Sequence, residues 1–213
     1  MKINKLIGKY FKLIMLVLCL MIFFILAIKV FNDSVVKSDD FGYRIVSNYL
    51  ISDSRTPFIK LVTNLGGTLC LIILTILSFL LFKNKRIGIL VTINLIIITL
   101  LNIVLKNIVG RARPIDNRII EETGYSFPSG HSMISMAFYG YFIYLIYKYV
   151  KSKKLKWILI VMLEFLIISI GISRIYLGVH YTSDVISGFL FSIAYLIIFT
   201  SFANKYLDDN KKY

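Results

Sequence analysis

Charged residues are scarce in this chain of 213 residues. Asp, Glu, Lys and Arg make up 17% of it and apolar residues 58%, whereas a soluble domain has about 25% charged and roughly 45–50% apolar residues. With three prolines, twelve glycines and two cysteines, the collagen, disordered and disulfide-scaffold classes are excluded. Cys19 and Cys70 both lie in apolar runs, where cysteine acts as a small hydrophobe. The composition indicates a membrane protein.

Long apolar runs make up most of what is present. The hydrocarbon core of a bilayer is about 30 Å thick, so a helix needs roughly 20 apolar residues to cross it. Six runs have a suitable length: 13–30, 61–82, 87–105, 133–149, 157–175 and 185–203. They are apolar on all sides rather than on one face. We predict an all-α fold, a six-transmembrane-helix bundle in which residues 1–213 form one membrane-embedded domain.

Acidic residues are also few, since 11 Asp and Glu accompany 25 Lys and Arg, for a net charge of +14. In a soluble protein this excess would suggest a nucleic-acid partner, but in a membrane protein it sets orientation, so no nucleic acid is expected. The N-terminal arm and the second-to-third and fourth-to-fifth linkers are basic. This pattern predicts that both termini are cytoplasmic in a plasma-membrane protein. The first run lacks a cleavage site and is expected to be retained.

Three segments are then predicted to face outward: 31–60, 106–130 and 174–184. The second segment, 106–130, is basic although it is predicted to lie on the outer side. Basic residues normally stay on the cytoplasmic side. The two histidines of the chain lie in or beside these segments. We therefore expect an anion-binding site on the outer face. Its candidate residues are Lys106 with Arg113, then Ser129, Gly130 and His131, then Arg174, His180 and Asp184.

Lys106 and Arg113 are seven residues apart, or two helical turns. Both would point the same way if the third helix continued past Leu105, and Pro114 would then end it. An ammonium and a forked guanidinium together suit a phosphate group. The alternative is that these basic side chains simply extend to the lipid headgroups.

The stretch Pro128-Ser129-Gly130-His131 directly precedes the fourth apolar run. Ser129 is predicted to be the N-cap of that helix, and Gly130 lets the backbone approach a ligand closely. The free N–H groups of a helix start form an anion site. An ordinary helix cap would explain Ser129 alone but not the adjacent histidine.

His180 and Asp184 are spaced i,i+4 at the predicted start of the sixth helix, which places them on one face. A carboxylate that accepts from one ring nitrogen leaves the other nitrogen as a nucleophile or base. The alternative is a surface pair that stabilises a helix start.

No metal site is evident, because Asp184 is the one carboxylate expected near the two histidines and paired cysteines are lacking. The cations Lys106, Arg113 and Arg174 would neutralise a bound anion instead. Glu164 lies within the fifth run, where a carboxylate is costly. We expect it to make an interhelical hydrogen bond to Asn94 or Thr99.

The three segments, in this order, resemble the signature of the type-2 phosphatidic acid phosphatase family, K-x6-RP, then PSGH, then SR-x5-H-x3-D. Every motif position is matched, from Lys106-NIVGRA-Arg113-Pro114 through Pro128-Ser129-Gly130-His131 to Ser173-Arg174-IYLGV-His180-YTS-Asp184. The motifs cover residues 106–184, and the six runs resemble the membrane branch of the family across nearly the whole chain.

This resemblance implies a role for each motif residue. His180 would attack phosphorus to give a phosphohistidine, with Asp184 orienting its ring. His131 would protonate the leaving oxygen and then activate water. The remaining positions would hold the phosphate oxygens: Lys106, Arg113, Ser129, Gly130 and Arg174.

The resulting prediction is a metal-independent membrane phosphatase that needs no cofactor and hydrolyses a lipid phosphate or diphosphate at the outer face. Polyprenyl diphosphate, phosphatidylglycerophosphate, phosphatidic acid and diacylglycerol pyrophosphate all remain candidate substrates. Three alternatives are a phosphotransferase that uses the same residues, a transporter of anionic substrates and a non-catalytic scaffold. Scarce polar residues within the spans disfavour the transporter, and the complete motif set disfavours the scaffold.

Overall fold

The computed structural model describes residues 2–33 and 35–208. These residues form eight α helices and no β strand, which confirms the predicted all-α class. The helices are α1 (Lys2–Asn32), α2 (Lys37–Tyr49), α3 (Thr56–Asn64), α4 (Thr68–Leu81), α5 (Lys85–Val109), α6 (Gly130–Tyr149), α7 (Lys153–Tyr176) and α8 (Thr182–Asp208).

Four of the described helices are long and apolar enough to cross a membrane: α1 (from Tyr10), α5, α7 and α8. The pair α3 and α4 meets the same requirement as one bent span, which makes five. The one predicted span left over, the fourth run at 133–149, corresponds to α6, whose sequence interleaves serine, glycine and tyrosine with apolar residues. Because α6 packs against α5, α7 and α8, buried polar residues such as Ser132 and Ser135 do not face lipid.

The second apolar run is not one continuous helix, contrary to the prediction for 61–82. It divides into α3 and α4, which are bent by 46° at a short break. Gly66 lies in this break and touches the bundle closely. A Cβ atom there would lie 2.6 Å from Ser135 Oγ and 2.7 Å from Ile170 Cγ2, too close for any larger residue without a shift. The break therefore lets the backbone lie against α6 and α7.

The segment 31–60, predicted as an outer loop, contains the amphipathic helix α2 and the start of α3. Val46 of α2 packs against Ile175, Tyr176 and Val185, at the end of α7 and the start of α8. We call this end of the bundle, where α5 and α7 end and α6 and α8 begin, the site end. Asp39 lies in the first turn of α2 and is 2% exposed, which requires compensating partners.

The prediction that Glu164 makes an interhelical hydrogen bond is wrong. Its side chain is exposed on α7 and makes no hydrogen bond with any residue that the structure describes. Asn94 instead donates to the Ala137 carbonyl at 2.9 Å and so ties α5 to α6. Cys19 and Cys70 are free thiols, the first buried and the second half-buried among apolar neighbours.

Candidate active site

Residues from all three motif segments line one cavity of about 460 Å³ at the site end. Lys106 comes from the last turn of α5, and Arg113 from the loop that follows it. Gly130 and His131 begin α6, and His180 lies in the turn between α7 and α8. Both imidazoles therefore border the same space, although they are far apart in sequence.

Arg113 does not reach the cavity from a helix, contrary to the expectation that α5 continues past Leu105 as far as Pro114. The helix ends at Val109 because Gly110 adopts the left-handed conformation, with φ of 65°. The loop then carries the Arg113 guanidinium back to the cavity. Its Nη1 donates to the Val179 carbonyl at 3.0 Å. These contacts fix Arg113 more rigidly than a helical position at the membrane surface would.

Other backbone carbonyls accept hydrogen bonds from Arg113 and Lys106. Arg113 Nε donates to Gly124 O at 3.0 Å, and its Nη2 donates to Thr123 O at 3.0 Å. Lys106 Nζ donates to the Tyr125 carbonyl. Neither side chain forms an ion pair with any residue that the structure describes, and both line the cavity.

Ser129 is the N-cap of α6, as predicted, and its Oγ accepts hydrogen bonds from the amide and the hydroxyl of Ser132. Gly130 follows at a point of close contact with α5. A Cβ atom on Gly130 would lie 3.0 Å from Asn102 Oδ1 and 3.9 Å from Lys106 Cε. The glycine therefore allows the start of α6 to lie directly beside the lysine.

His180 and Asp184 form a buried pair, with 3.3 Å between Nδ1 and Oδ2. The predicted geometry differs in one respect, because α8 begins at Thr182 and His180 precedes it. The Tyr181 amide also donates to Asp184 Oδ2 at 2.9 Å. Asp184 Oδ2 thus accepts a hydrogen bond from the His180 Nδ1–H group, which leaves the ring lone pair on Nε2, the tautomer that a nucleophile requires.

Arg113 approaches the other side of the same ring. Its Nη1 lies 3.0 Å from His180 Nε2. Burial, followed by the charges of Arg113, Arg174 and Lys106, holds the pKa of His180 well below its usual value. The imidazole is therefore neutral at neutral pH, with its lone pair next to the cations of the cavity.

Arg174 is 1% exposed and lies between two side chains. Its Nη1 donates to Thr63 Oγ1 at 2.9 Å, and its Nη2 to Glu122 Oε2 at 2.9 Å. Arg174 Nε is buried and has no hydrogen-bond partner among the described residues. Arg174 does not itself line the cavity, but its partner Glu122 does.

Three functional candidates were absent from the sequence predictions: Asp39, Arg111 and Glu122. The expectation that Asp184 is the one carboxylate near the histidines is wrong, because Glu122 lines the cavity and Asp39 is linked to Asp184 through Arg111. Arg111 lies two residues before Arg113, in a stretch already identified as unusually basic. Nothing local marks Asp39 or Glu122, whose partners are distant in sequence.

The described residues contain no group of three or more His, Cys, Asp or Glu side chains placed to hold a metal ion. The positive charges at the cavity come from Lys106 and Arg113, which line it, and from Arg174, which pairs with the lining residue Glu122. Three fixed cations beside two imidazoles suit an anion that accepts many hydrogen bonds, as a phosphate does.

Comparison of the amino-acid sequence with known proteins identifies relatives of this chain. A 110-residue stretch is 37% identical to phosphatidylglycerophosphatase B of Bacillus subtilis (strain 168), covering 50% of this chain and 53% of that protein. A 114-residue stretch is 34% identical to an undecaprenyl-diphosphatase of Sulfolobus acidocaldarius, covering 51% of each chain. The chain thus spans about half the length of the curated relatives it matches.

Two solved structures share the fold. The crystal structure described as the first transmembrane PAP2 type phosphatidylglycerolphosphate phosphatase from Bacillus subtilis superposes with a TM-score of 0.80 and 28% identity, covering 89% of this chain and 96% of that one. Aquifex aeolicus LpxE superposes with a TM-score of 0.64 and 23% identity, over 78% of this chain and 96% of that one, which supports the fold alone.

The family profile covers the region that holds all three motifs. The PAP2 superfamily matches residues 86–208, more than half of the chain, and confirms the resemblance drawn from Lys106 to Asp184. The chain therefore belongs to the PAP2 superfamily.

Proposed function

We propose that this chain is an integral membrane phosphatase that hydrolyses a lipid phosphate or diphosphate. The single observation that carries the proposal is the shape and lining of the 460 Å³ cavity. One end holds Lys106, Arg113, His131 and His180. The other end is lined by apolar residues of α4 and α5, including Leu71, Ile72, Leu95, Ile96 and Leu100.

This lining fits an amphiphile with an anionic head. Leu95 and Leu100 precede Lys106 by eleven and six residues on α5, so at 1.5 Å per residue the apolar part lies about 9–17 Å along the helix axis from the Lys106 backbone. A lipid tail in this part would stay at bilayer depth while its phosphate reaches the cations. A water-soluble phosphate would gain nothing from the apolar part.

The membrane topology that we propose has six spans, with α6 as the fourth and both termini in the cytoplasm of the plasma membrane. The basic linkers around Lys85 and Lys153 lie at the opposite end of the bundle from the cavity. Because basic linkers remain on the cytoplasmic side, the cavity then opens on the extracytoplasmic face.

The first chemical step follows from the tautomer of His180. Its Nε2 lone pair attacks phosphorus, a nitrogen–phosphorus bond forms, and the bond from phosphorus to the leaving oxygen breaks. The leaving oxygen takes the electron pair and a proton from the imidazolium form of His131, which becomes neutral in this step. Asp184 keeps the Nδ1 proton in place as the ring becomes positive.

In the second step His131 acts as a base and His180 is the group that leaves phosphorus. His131, now neutral, takes a proton from water as the water oxygen attacks phosphorus. The nitrogen–phosphorus bond breaks, and its electron pair returns to His180 Nε2 while inorganic phosphate leaves. Lys106, Arg113 and Arg174, with Ser129 and the Gly130 amide, stabilise the charge on the phosphoryl oxygens in both steps. The three cations take the role that a metal ion has in other phosphatases.

The test is phosphate release by the purified protein in detergent, measured with a panel of lipid phosphates and diphosphates. The panel contains polyprenyl diphosphate, phosphatidylglycerophosphate, phosphatidic acid and diacylglycerol pyrophosphate. We expect hydrolysis of at least one substrate, undiminished by EDTA and with no phosphorylated acceptor formed. Release of no phosphate from any of the four, or full dependence on a divalent cation, would refute the proposal.

A further inference from the structure

A buried chain of charges leads from the candidate nucleophile to helix α2. Arg111 Nη1 donates to Asp184 Oδ1 at 2.5 Å, and Arg111 Nη2 donates to Asp39 Oδ2 at 2.6 Å. The side chains of all three residues are at most 1% exposed. A buried chain of charged groups therefore runs from Asp39 through Arg111 and Asp184 to His180.

The surroundings of Arg111 hold it in one position. Its Nη1 also donates to Ser183 Oγ at 2.8 Å, and its guanidinium carbon lies 3.8 Å from the centre of the Tyr181 ring. A guanidinium held by two carboxylates, a hydroxyl and an aromatic face has little freedom to change its orientation. It joins the two carboxylates rigidly.

Asp39 contributes more than charge to this assembly. Its Oδ1 accepts from the Ser183 amide at 2.8 Å, and its Oδ2 from the Val36 amide at 3.0 Å. Ser183 lies in the first turn of α8, so a residue of α2 caps the helix that carries Asp184. Asp39 thus fixes both the position of that helix start and the guanidinium bound to its carboxylate.

All hydrogen-bond partners of the two carboxylates described here are donors, the pattern of ionised groups. Two carboxylates and one guanidinium leave a net charge of one negative unit in the buried chain. When His180 bonds to phosphorus, its ring gains one positive charge. The negative unit would then balance it in a medium where water cannot.

We propose that Arg111 and Asp39 are positioning residues of the reaction, which act through Asp184 on the charge and orientation of His180. Without Asp39, Arg111 would neutralise Asp184, and the positive ring would lose its counter-charge. Without Arg111, two buried carboxylates would oppose each other. This inference rests on the proposed phosphohistidine mechanism, because it concerns the charge that forms on His180.

The experiment compares kcat and KM for phosphate release from a short-chain phosphatidic acid in detergent. Asp39→Asn is expected to lower kcat about tenfold with KM within about threefold, since the charge acts on the transition state. Asp40→Asn is the matched control, because Asp40 is the next residue of α2, carries the same charge and is exposed. Its kcat should stay within about twofold of wild type.

A double-mutant cycle separates positioning from a general structural effect. In the Asp184→Asn background, Asp39→Asn should change kcat by less than about threefold, because its target is already lost. An undiminished tenfold loss in that background would overturn the inference. So would a folded Asp39→Asn protein with kcat within twofold of wild type.

Two further variants complete the design. Arg111→Lys keeps the positive charge but replaces the forked guanidinium by one ammonium group, so this variant tests the inference if Asp39→Asn does not fold. It should also lower kcat with little change in KM. Wild-type kcat in Arg111→Lys would overturn the inference. His180→Ala tests the proposed function separately. Wild-type phosphate release by His180→Ala would refute the proposed mechanism and this inference together, whereas wild-type kcat in Asp39→Asn refutes this inference alone.

Discussion

Charged side chains at the two ends of the bundle differ in their exposure to water. At the site end, Arg111, Arg174 and Asp184 are almost completely buried and held by several partners each. At the opposite end, Lys148 pairs with Asp208 at 3.0 Å, but their side chains remain 18% and 44% exposed. Buried charges are costly unless they are fully paired, while exposed pairs add little. The difference fits the proposed function, in which the site end carries the chemistry and the basic linkers of the other end set the orientation.

The largest expected effect is the loss of the nucleophile. His180→Ala should lower kcat by at least about 10³-fold, because no other nucleophile of the cavity has an oriented lone pair. Initial rates of phosphate release provide the measurement, and Lys148→Ala, at the opposite end, provides the control. Activity of the His180 variant within tenfold of wild type would remove the functional distinction between the two ends.

Stability should differ between the ends as well. Arg111→Met leaves two buried carboxylates without their shared cation, so it should reduce the free energy of unfolding by about 3–5 kcal/mol. Unfolding in a denaturing detergent, followed by circular dichroism, measures this change. A loss below about 1 kcal/mol would mean that the buried pairs are no stronger than surface ones.

The pH dependence of kcat/KM tests the effect of the buried charges at the site end. Burial and nearby cations hold the pKa of His180 well below its usual value. In the proposed mechanism the neutral form of His180 attacks, so the acid limb of kcat/KM follows that lowered pKa. Arg113→Met removes a neighbouring positive charge and raises the pKa of His180, which should move the acid limb upward, toward the ordinary value of about 6.5.

The matched control for that measurement is Arg118→Met. Arg118 lies in the same loop and pairs with Glu121 across 3.8 Å, with a quarter of its side chain exposed. Its removal should leave the acid limb where it is in the wild type. Equal movement of the limb in both variants would show that general charge, rather than the Arg113 contact, sets the pKa of His180.

The smallest expected effect is at the opposite end. Lys148→Met breaks a half-exposed pair, so it should cost at most about 1 kcal/mol of stability and leave kcat within about twofold of wild type. Detergent unfolding and phosphate release test both numbers. A tenfold loss of kcat would show that this end also takes part in the reaction.

Much of the architecture was predictable from apolar runs and motif spacing. The runs 87–105 and 157–175 lie within α5 and α7, and Ser129 is the N-cap that its position suggested. The two histidines line one cavity because the alternation of spans places both at the same end. These features depend on local composition and on the number of membrane spans, and both can be read directly from the sequence.

The remaining features depend on contacts between distant residues. The break between α3 and α4 follows from close packing of Gly66 on Ser135 and Ile170, which no local pattern shows. Asp39 and Arg111 are separated by 72 positions, and each looks like an ordinary surface charge in sequence. The sequence does not predict helix α2 because this helix is short, at 13 residues, and lies in a polar segment.

The central claim is that three distant segments form one phosphoryl pocket in which His180 is the nucleophile. The most direct measurement is rapid acid-free quenching of the purified enzyme with a lipid substrate, followed by peptide mass spectrometry. A phosphoryl group on His180 in the wild type, absent from His180→Ala, is the predicted result. A phosphoryl group on His131 instead, or none on any residue during turnover, would contradict the account.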